Sequence, residues 1–334
     1  MFTFIKRIVL LLFVTALLDA AQGAPTFPLK HSANNRYLVD QNGTPFPIMG
    51  RTAWFVTSLG VFTTAQNNVE SGLLTGLKSA TGQQSIFFSA EWSGGIATDQ
   101  TSFGSQMTLN GAYAHGGDVT TQGRRAYAHS PTEPGFLLEG PYDQEGSDGN
   151  GWNTTATQPV RRFQWWAWLS SIGGYVLGNG YVWPFNAPDW QDHLDTQCTR
   201  DMTRLNAFMR SITWYNLVPS GLNGMRTLIT AGGSSVSSSD YVAAAAAPDG
   251  TLMVAYVAPA HSGAITVDMG ALSGLVRARW FDPTSGSYSA IGTGLTNAGS
   301  RSFSTPGNNS AGAKDWVLVL NESPVPPTNL RIVP

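Results

Sequence analysis

The sequence holds a single cysteine, Cys198. No disulfide can therefore form within the chain, and the fold must rest on burial and hydrogen bonding. Cys198 lies in a helical pattern among apolar neighbours with nothing basic placed to activate it, and reads as a small buried hydrophobe. Charge is scarce as well: only 12% of residues are Asp, Glu, Lys or Arg, and 19 basic residues face 21 acidic ones without a basic cluster. That balance excludes a phosphate-tracking surface for nucleic acid. His31, His115, His129, His193 and His261 show no metal-binding spacing, and Gly-x-Ser-x-Gly, P-loop and dinucleotide fingerprints are missing. No metal or other cofactor is expected. Long hydrophobic runs are absent too, since the apolar stretch Ile8 to Leu18 falls short of the roughly 20 residues that span a bilayer.

That stretch follows Lys6 and Arg7 and leads to Ala21-Gln-Gly23, the form of a secretory signal removed after about Gly23. The expected location is secreted or periplasmic, with no membrane span left after removal. What the chain has in quantity is glycine, 37 residues, and aromatic side chains, 11% including 11 Trp. The profile suits turn-rich extracellular sugar-binding proteins, although aromatic residues also dominate ordinary cores.

Arg36 to Asp40 and Pro45 to Met49 flank Asn42-Gly43, a strong hairpin signal, and the second arm can run on through Trp54 as the first strand of a larger sheet. Residues 56 to 84 are polar and weakly periodic, with a short helix near Val69 to Ser79. Ser85 to Ala90, Met107 to Ala112 and Gly135 to Glu139 are short apolar runs bounded by turn residues, as expected of strands buried on both faces. The period then becomes helical over 159–172, where Val160, Phe163, Trp166, Ala167 and Leu169 recur at three and four. Gly173 to Leu177 reads as a strand, and Cys198, Met202, Leu205, Phe208, Met209 and Ile212 as a second amphipathic helix. This alternation indicates an α/β domain with a parallel sheet. From about Leu222 short strands follow one another without helices: Tyr241 to Ala247, Thr251 to Val257, Ala264 to Val267, Val276 to Phe281, Ser287 to Ile291 and Trp316 to Leu320. They predict a β-sandwich, with a Pro-rich tail over 322–334.

In a parallel sheet the residue closing a strand lies at the carboxyl end, where active sites are built. Glu139 closes Phe136-Leu-Leu138 in that way, and burial at the end of an apolar strand suits a tuned acid or a held nucleophile. The alternative is an acid that caps the loop or pairs with Arg161 or Arg162. Glycoside hydrolysis needs two carboxylates, and the candidates by type are Glu91, Asp99, Asp118, Asp143 and Glu145, none singled out by the sequence. Trp152, Tyr181 and Trp183 fall in loops where they can stack on sugar faces, whereas Trp165, Trp166 and Trp168 fall on the helix and read as core.

Arg36 to Gly43 with Thr52-Ala-Trp54, Leu109 to Tyr113, Phe136 to Tyr142, the Arg161-Arg162 helix with Trp166-Ala-Trp168, and Gly178 to Trp183 resemble the apiosidase-like glycoside hydrolases. Val254-Ala-Tyr256, Ala278 to Pro283 and Asp315 to Leu320 resemble the β-domain of collagen-binding type that usually follows. The resemblance implies a (β/α)8 barrel that hydrolyses glycosidic bonds in polysaccharide side chains, apiose linkages being the named case. It puts Glu139 on the seventh-strand catalytic carboxylate, and Trp54, Asn110, Tyr142, Glu145 and Trp183 among the substrate contacts. Pro45 to Tyr215 is shorter than the ~250 residues of a complete barrel, and the shortfall falls between about 55 and 85. The missing part would include the strand that carries the second carboxylate, so no residue is expected to inherit that role. Arg51 stands where the family usually has an acid.

The fold class that results is α/β plus all-β: an incomplete (β/α)8-type barrel over 24–219 and a β-sandwich over 220–321. The expected partner is a polysaccharide or oligosaccharide substrate, and exposed barrel edges predict self-association. The expected activity is glycoside hydrolysis with Glu139 as nucleophile; the alternative is a non-catalytic relic that binds carbohydrate or matrix.

Overall fold

A computed structural model describes residues 24–51, 87–91, 95–101, 104–115, 117–146, 157–183 and 189–323. The expected signal, the helix near Val69 to Ser79, the shortened stretch between 55 and 85, and the tail from 324 onward lie outside these residues, as do Trp54 and Trp152.

The chain enters through β1 (Lys30–His31), β2 (Leu38–Val39) and β3 (Pro45–Phe46), a small antiparallel sheet in that order. The turn joining β2 to β3 is the one expected at Asn42-Gly43. Asp40 Oδ1 accepts from the amides of Asn42 and Thr44 at 2.9 and 2.8 Å, and Gly43 takes φ 83°, a region open to glycine without strain.

Next come β4 (Ile48–Arg51), β5 (Asn110–Tyr113), β6 (Gly135–Glu139) and β7 (Ile172–Leu177), which form one parallel sheet in the order β4-β7-β6-β5. Helix α1 (Asp118–Ala128) joins β5 to β6, and α2 (Thr157–Ser171) leads into β7; α3 (Gln197–Arg210) follows the sheet. Helix α2 passes into β7 with no loop, and this is why Gly173 and Gly174 stand there. A Cβ on Gly173 would lie 2.3 Å from the carbonyl oxygen of Gly135, and one on Gly174 1.8 Å from that of Ile48. The expected strand at Ser85 to Ala90 is, where described, an extended segment without a regular ladder. The amides of Thr108 and Leu109 donate to Phe88 O, but the next rung is taken by a side chain, Gly111 N donating to Ser89 Oγ at 3.1 Å.

The C-terminal sheet is joined just before residue 220 by β8 (Val218–Pro219), which pairs with one of its strands. The further strands are β9 (Ile229–Ala231), β10 (Ala243–Ala246), β11 (Leu252–Val257), β12 (Ala264–Asp268), β13 (Val276–Phe281), β14 (Tyr288–Leu295), β15 (Ser300–Ser304) and β16 (Trp316–Glu322). Six of them make a sheet in the order β14-β13-β16-β11-β10-β8, and β15-β12-β9 make a smaller one. Strand β16 extends past the expected end of the domain at residue 321.

Antiparallel sheets commonly leave one face to water. This one does not. On β11, Met253, Ala255 and Val257 face the small sheet, while Leu252, Val254 and Tyr256 join an apolar cluster that includes Trp165, Trp166 and Trp168 of α2. Trp165 stacks on Tyr256 with ring centroids 5.8 Å apart and planes 4° off parallel, and Trp166 Nε1 donates to Tyr241 O at 3.1 Å. The three tryptophans are core, as their helical spacing indicates. One apolar cluster thus runs through both domains.

A buried ionic network sits in the same interface. Arg161 of α2 donates through Nε and Nη2 to the two carboxylate oxygens of Asp315, both at 2.8 Å, and through Nη1 to Asp201 of α3 at 2.8 Å. All three side chains are buried. Arg161→Ala would leave two carboxylates in the interior without their shared cation, and the expected loss is about 3–5 kcal/mol of stability, read from urea unfolding. Tryptophan fluorescence and far-UV circular dichroism of the native chain should report one shared transition; two separate transitions would show that the domains do not fold as one unit.

Candidate active site

Parallel pairing places the ends of β5 and β6 side by side, with Tyr113 in register with Glu139. The Phe87–Glu91 segment lies against the far side of β5 and also closes on an acid. Across β5 the two carboxyls meet: Glu91 shares a hydrogen bond with Glu139. A hydrogen bond between two carboxyls requires one of them to keep a proton. Glu91 is that one, pushed up to about 9 by burial first, then by the hydrogen bond to Glu139 and the negative charge on it. The buried Oε2 of Glu139 has no hydrogen-bond partner among the described residues.

Tyr113 stands beside the pair. Burial, then the charges of Glu139, Glu91 and Glu145, hold its hydroxyl at about 12. The hydroxyl lies 3.0 Å from His115 Nε2, with the two rings edge to face. Three acids, a phenol and an imidazole therefore gather at the carboxyl end of β5 and β6.

Beyond Glu139 the chain continues as Gly140-Pro-Tyr142-Asp143 alongside Gly178-Asn179. Asp143 N donates to Gly178 O at 3.0 Å, and Asn179 Nδ2 to Asp143 Oδ2 at 3.2 Å. Tyr142 is buried with its ring laid on Gly178, where a Cβ would come within 2.2 Å of it. Its ring forms a wall behind the loop. Glu145 is exposed and Trp183 half-buried, both on this end of the sheet. Asn110 is not. It opens β5 at the opposite end, fully buried, with its amide donating to Asp99 Oδ1 at 3.0 Å and facing Ala126 O. Its hydrogen bonds tie it to the framework there, and the structure does not bring it together with Glu139.

The remaining acids sort in the same way. Asp99 is held at the far end by Arg125 at 2.8 Å, Asp118 opens α1, and Asp143 is tied to Asn179. The pairing of Glu139 with Arg161 or Arg162 does not form: Arg161 is committed to Asp315 and Asp201, and Arg162 donates to Ser239 O and Gln158 Oε1. Of the five acids named by type, Glu91 is the one that meets Glu139. Its signal was in the sequence, an acid directly after an apolar run, the same grammar that marks Glu139. Tyr113 and His115 carried no separate signal. Among the described residues no group of three His, Cys, Asp or Glu side chains is arranged to hold a metal ion, and no helix is long and apolar enough to cross a membrane.

Two neighbouring carboxyls at the carboxyl end of a parallel sheet, one of them keeping its proton, are a glycoside-hydrolase type of arrangement, and the comparisons agree on that class. A solved structure described as "Glycoside hydrolase" is similar with a TM-score of 0.66 and 16% identity, covering 88% of this chain and 97% of its own. A glycoside hydrolase family 5 structure from Bacteroides vulgatus ATCC 8482 has the same TM-score and identity, covering 90% of this chain and 95% of its own. At that identity the likeness is one of fold. No curated protein matches the chain by sequence. More particularly, residues 61–216 match the family described as "Apiosidase-like, catalytic domain", and residues 226–321 that described as "Putative collagen-binding domain of a collagenase". The chain is a glycoside-hydrolase-like protein with an apiosidase-like catalytic domain followed by a domain of collagen-binding type.

The Glu91 proton has a measurable consequence. Its folded-state pKa lies above the ordinary 4.5, so the fold keeps a proton that the unfolded chain gives up. The stabilisation is full below pH 4.5 and is lost as the pH rises towards 9. Glu91→Gln should flatten the dependence of stability on pH across that window. Glu139→Gln removes the neighbouring charge, and the Glu91 midpoint, followed by infrared carbonyl absorption, should move down. An unmoved midpoint would mean that the two carboxyls are not in contact.

Proposed function

We propose that the protein is a secreted glycoside hydrolase acting on polysaccharide side chains, with Glu139 as nucleophile and Glu91 as general acid and base. The observation that carries this reading is the hydrogen bond between the two carboxyls, with the proton on Glu91. Glu139 attacks the anomeric carbon while Glu91 gives its proton to the departing glycosidic oxygen, which leaves a glycosyl ester on Glu139. Glu91, now a carboxylate, takes a proton from water, the hydroxide opens the ester, and both residues return to their starting state. Close carboxyls favour retention, since inversion needs roughly 6.5 to 9.5 Å between them to seat a water. Tyr113 keeps its proton over the working range and offers a donor beside the nucleophile.

The matched family supports apiose linkages as the bonds cleaved, and the segment over 1–23 supports export. Trp54, Trp183 and Glu145 complete the sugar contacts, with Tyr142 as the wall behind them. The parallel sheet belongs in this reading to a shortened (β/α)8 barrel, whose open strand edges a second copy of the chain would cover. Arg51, which closes β4 where the family usually has an acid, favours the second reading, a relic that binds carbohydrate without turnover.

On para-nitrophenyl apioside and apiose-bearing pectic oligosaccharides, Glu139→Gln should abolish turnover. Glu91→Gln should lower kcat/KM by about 10²–10⁴-fold and remove the alkaline fall in activity that the native protein shows near pH 9. Proton NMR of the first product should show retained anomeric configuration. Full activity in Glu139→Gln would exclude it as nucleophile, and sugar binding by an inactive native protein would establish the second reading.

A further inference from the structure

Past the end of β7 the backbone is pinned to the strand that carries Glu139. Asn179 Oδ1 accepts from the amides of Tyr181 and Val182 at 3.0 and 3.1 Å, and the same side chain donates to Asp143, four residues beyond Glu139. At no more than about 3.4 Å per residue, the site and this turn are close neighbours on one end of the sheet. Tyr181 projects from the turn and lies flat on His193, with ring centroids 3.7 Å apart and planes 2° off parallel. His193 is itself held from two sides, its Nδ1 2.6 Å from Gln144 Oε1 and its Nε2 3.5 Å from Asp189. The tyrosine ring is thus covered and stiffened on one face, yet the residue remains 38% exposed.

Most of the aromatic side chains among the described residues are buried, and Tyr181 is one of the few left open. The arrangement has a chemical use. Sugar rings carry axial hydrogens on one face and hydroxyls around the rim, so an aromatic plane takes the apolar face while polar groups nearby take the rim. A ring fixed in advance loses little freedom when the sugar arrives.

We propose that Tyr181, backed by His193, is a stacking subsite for a sugar unit of the chain that bears the scissile linkage. The proposal rests on the hydrolase reading and adds where the polymer lies: beside β7, beyond the Glu139-to-Glu145 loop. It makes Tyr181 a determinant of preference for polymer over small aryl glycosides.

The test separates the two readings. In the native background, Tyr181→Ala should raise KM for an apiose-bearing pectic oligosaccharide about tenfold, the effect of one lost aromatic stack. kcat and the hydrolysis of para-nitrophenyl apioside should stay within about twofold, while Tyr181→Trp should keep the native KM. In a Glu139→Gln background, where no turnover occurs, calorimetric titration with the same oligosaccharide should show the same tenfold loss of affinity in Tyr181→Ala and none in Tyr181→Trp. Loss of affinity with an inactive native enzyme would uphold the subsite and overturn the hydrolase reading. An unchanged affinity, or equal losses on both substrates, would overturn the subsite.

Discussion

A single guanidinium, that of Arg161, is buried where α2, α3 and the C-terminal domain meet, and the architecture is arranged around keeping it charged. Burial works against the cation, but hydrogen bonding and attraction from Asp315, with a further contribution from Asp201, more than offset it, so its pKa is raised. Asp315 is satisfied in turn by Tyr256 Oη at 2.9 Å and Asn309 Nδ2 at 2.8 Å. Asp201 receives Gln197 and Arg204, yet burial still prevails over these and its pKa is raised. A buried ionic network of this kind contributes less to net stability than its Coulomb energy suggests, because desolvation takes back most of the gain. What it fixes is geometry. The fork of Arg161 fits Asp315 in one orientation, and that sets how the sandwich sits on α2.

Helix α2 is also the element on which the site depends. It continues into β7 without a loop, packs against β6, and is clamped on its outer face by the C-terminal sheet. Glu139 ends β6 and the Tyr181 turn follows β7, so both are positioned by strands that share this one helix. The second domain therefore acts as a brace for the sheet that carries the candidate site, whatever else its surface binds. Its six-stranded sheet is apolar on both faces for that reason: β10, β11 and β16 have one face for their own sandwich and one for the tryptophans of α2.

The two-domain plan was legible because each half obeys a simple period. Helices α2 and α3 announce themselves by spacing at three and four, and β10, β11, β13 and β16 by short apolar runs between turns. What stayed hidden had physical reasons. Strand β15, Ser-Arg-Ser-Phe-Ser, buries only Phe303 and so shows no apolar run. Strand β8 consists of only two residues, too short to show a period, and its partner β10 lies beyond an intervening strand. Glu139 was legible from its strand-end position, and Glu91 shares that position. It was passed over because the family pattern puts the second carboxylate on a strand that the shortened chain was expected to lack. Tyr142 and Asn110 needed the fold, since a side chain's face and the end of the sheet it occupies are not written in residue type.

The division of labour between Glu91 and Glu139 follows from like charge at short range. Two carboxylates in contact cannot both be ionised inside a protein without a cation between them, and Arg161, a cation drawn to α2, is given to Asp315 and Asp201 instead. One proton must stay. It stays on Glu91, where burial and the neighbouring negative charge both favour the neutral form. Burial is the first cause of that proton's retention, and the hydrogen bond to Glu139 and its negative charge add to it. In the reaction proposed above, a bond from Glu139 to a sugar would remove that charge, and Glu91 would become a stronger acid as the leaving oxygen takes its proton. The contact that holds the resting state would then favour the transfer, and the reverse change would reset it when the ester is opened.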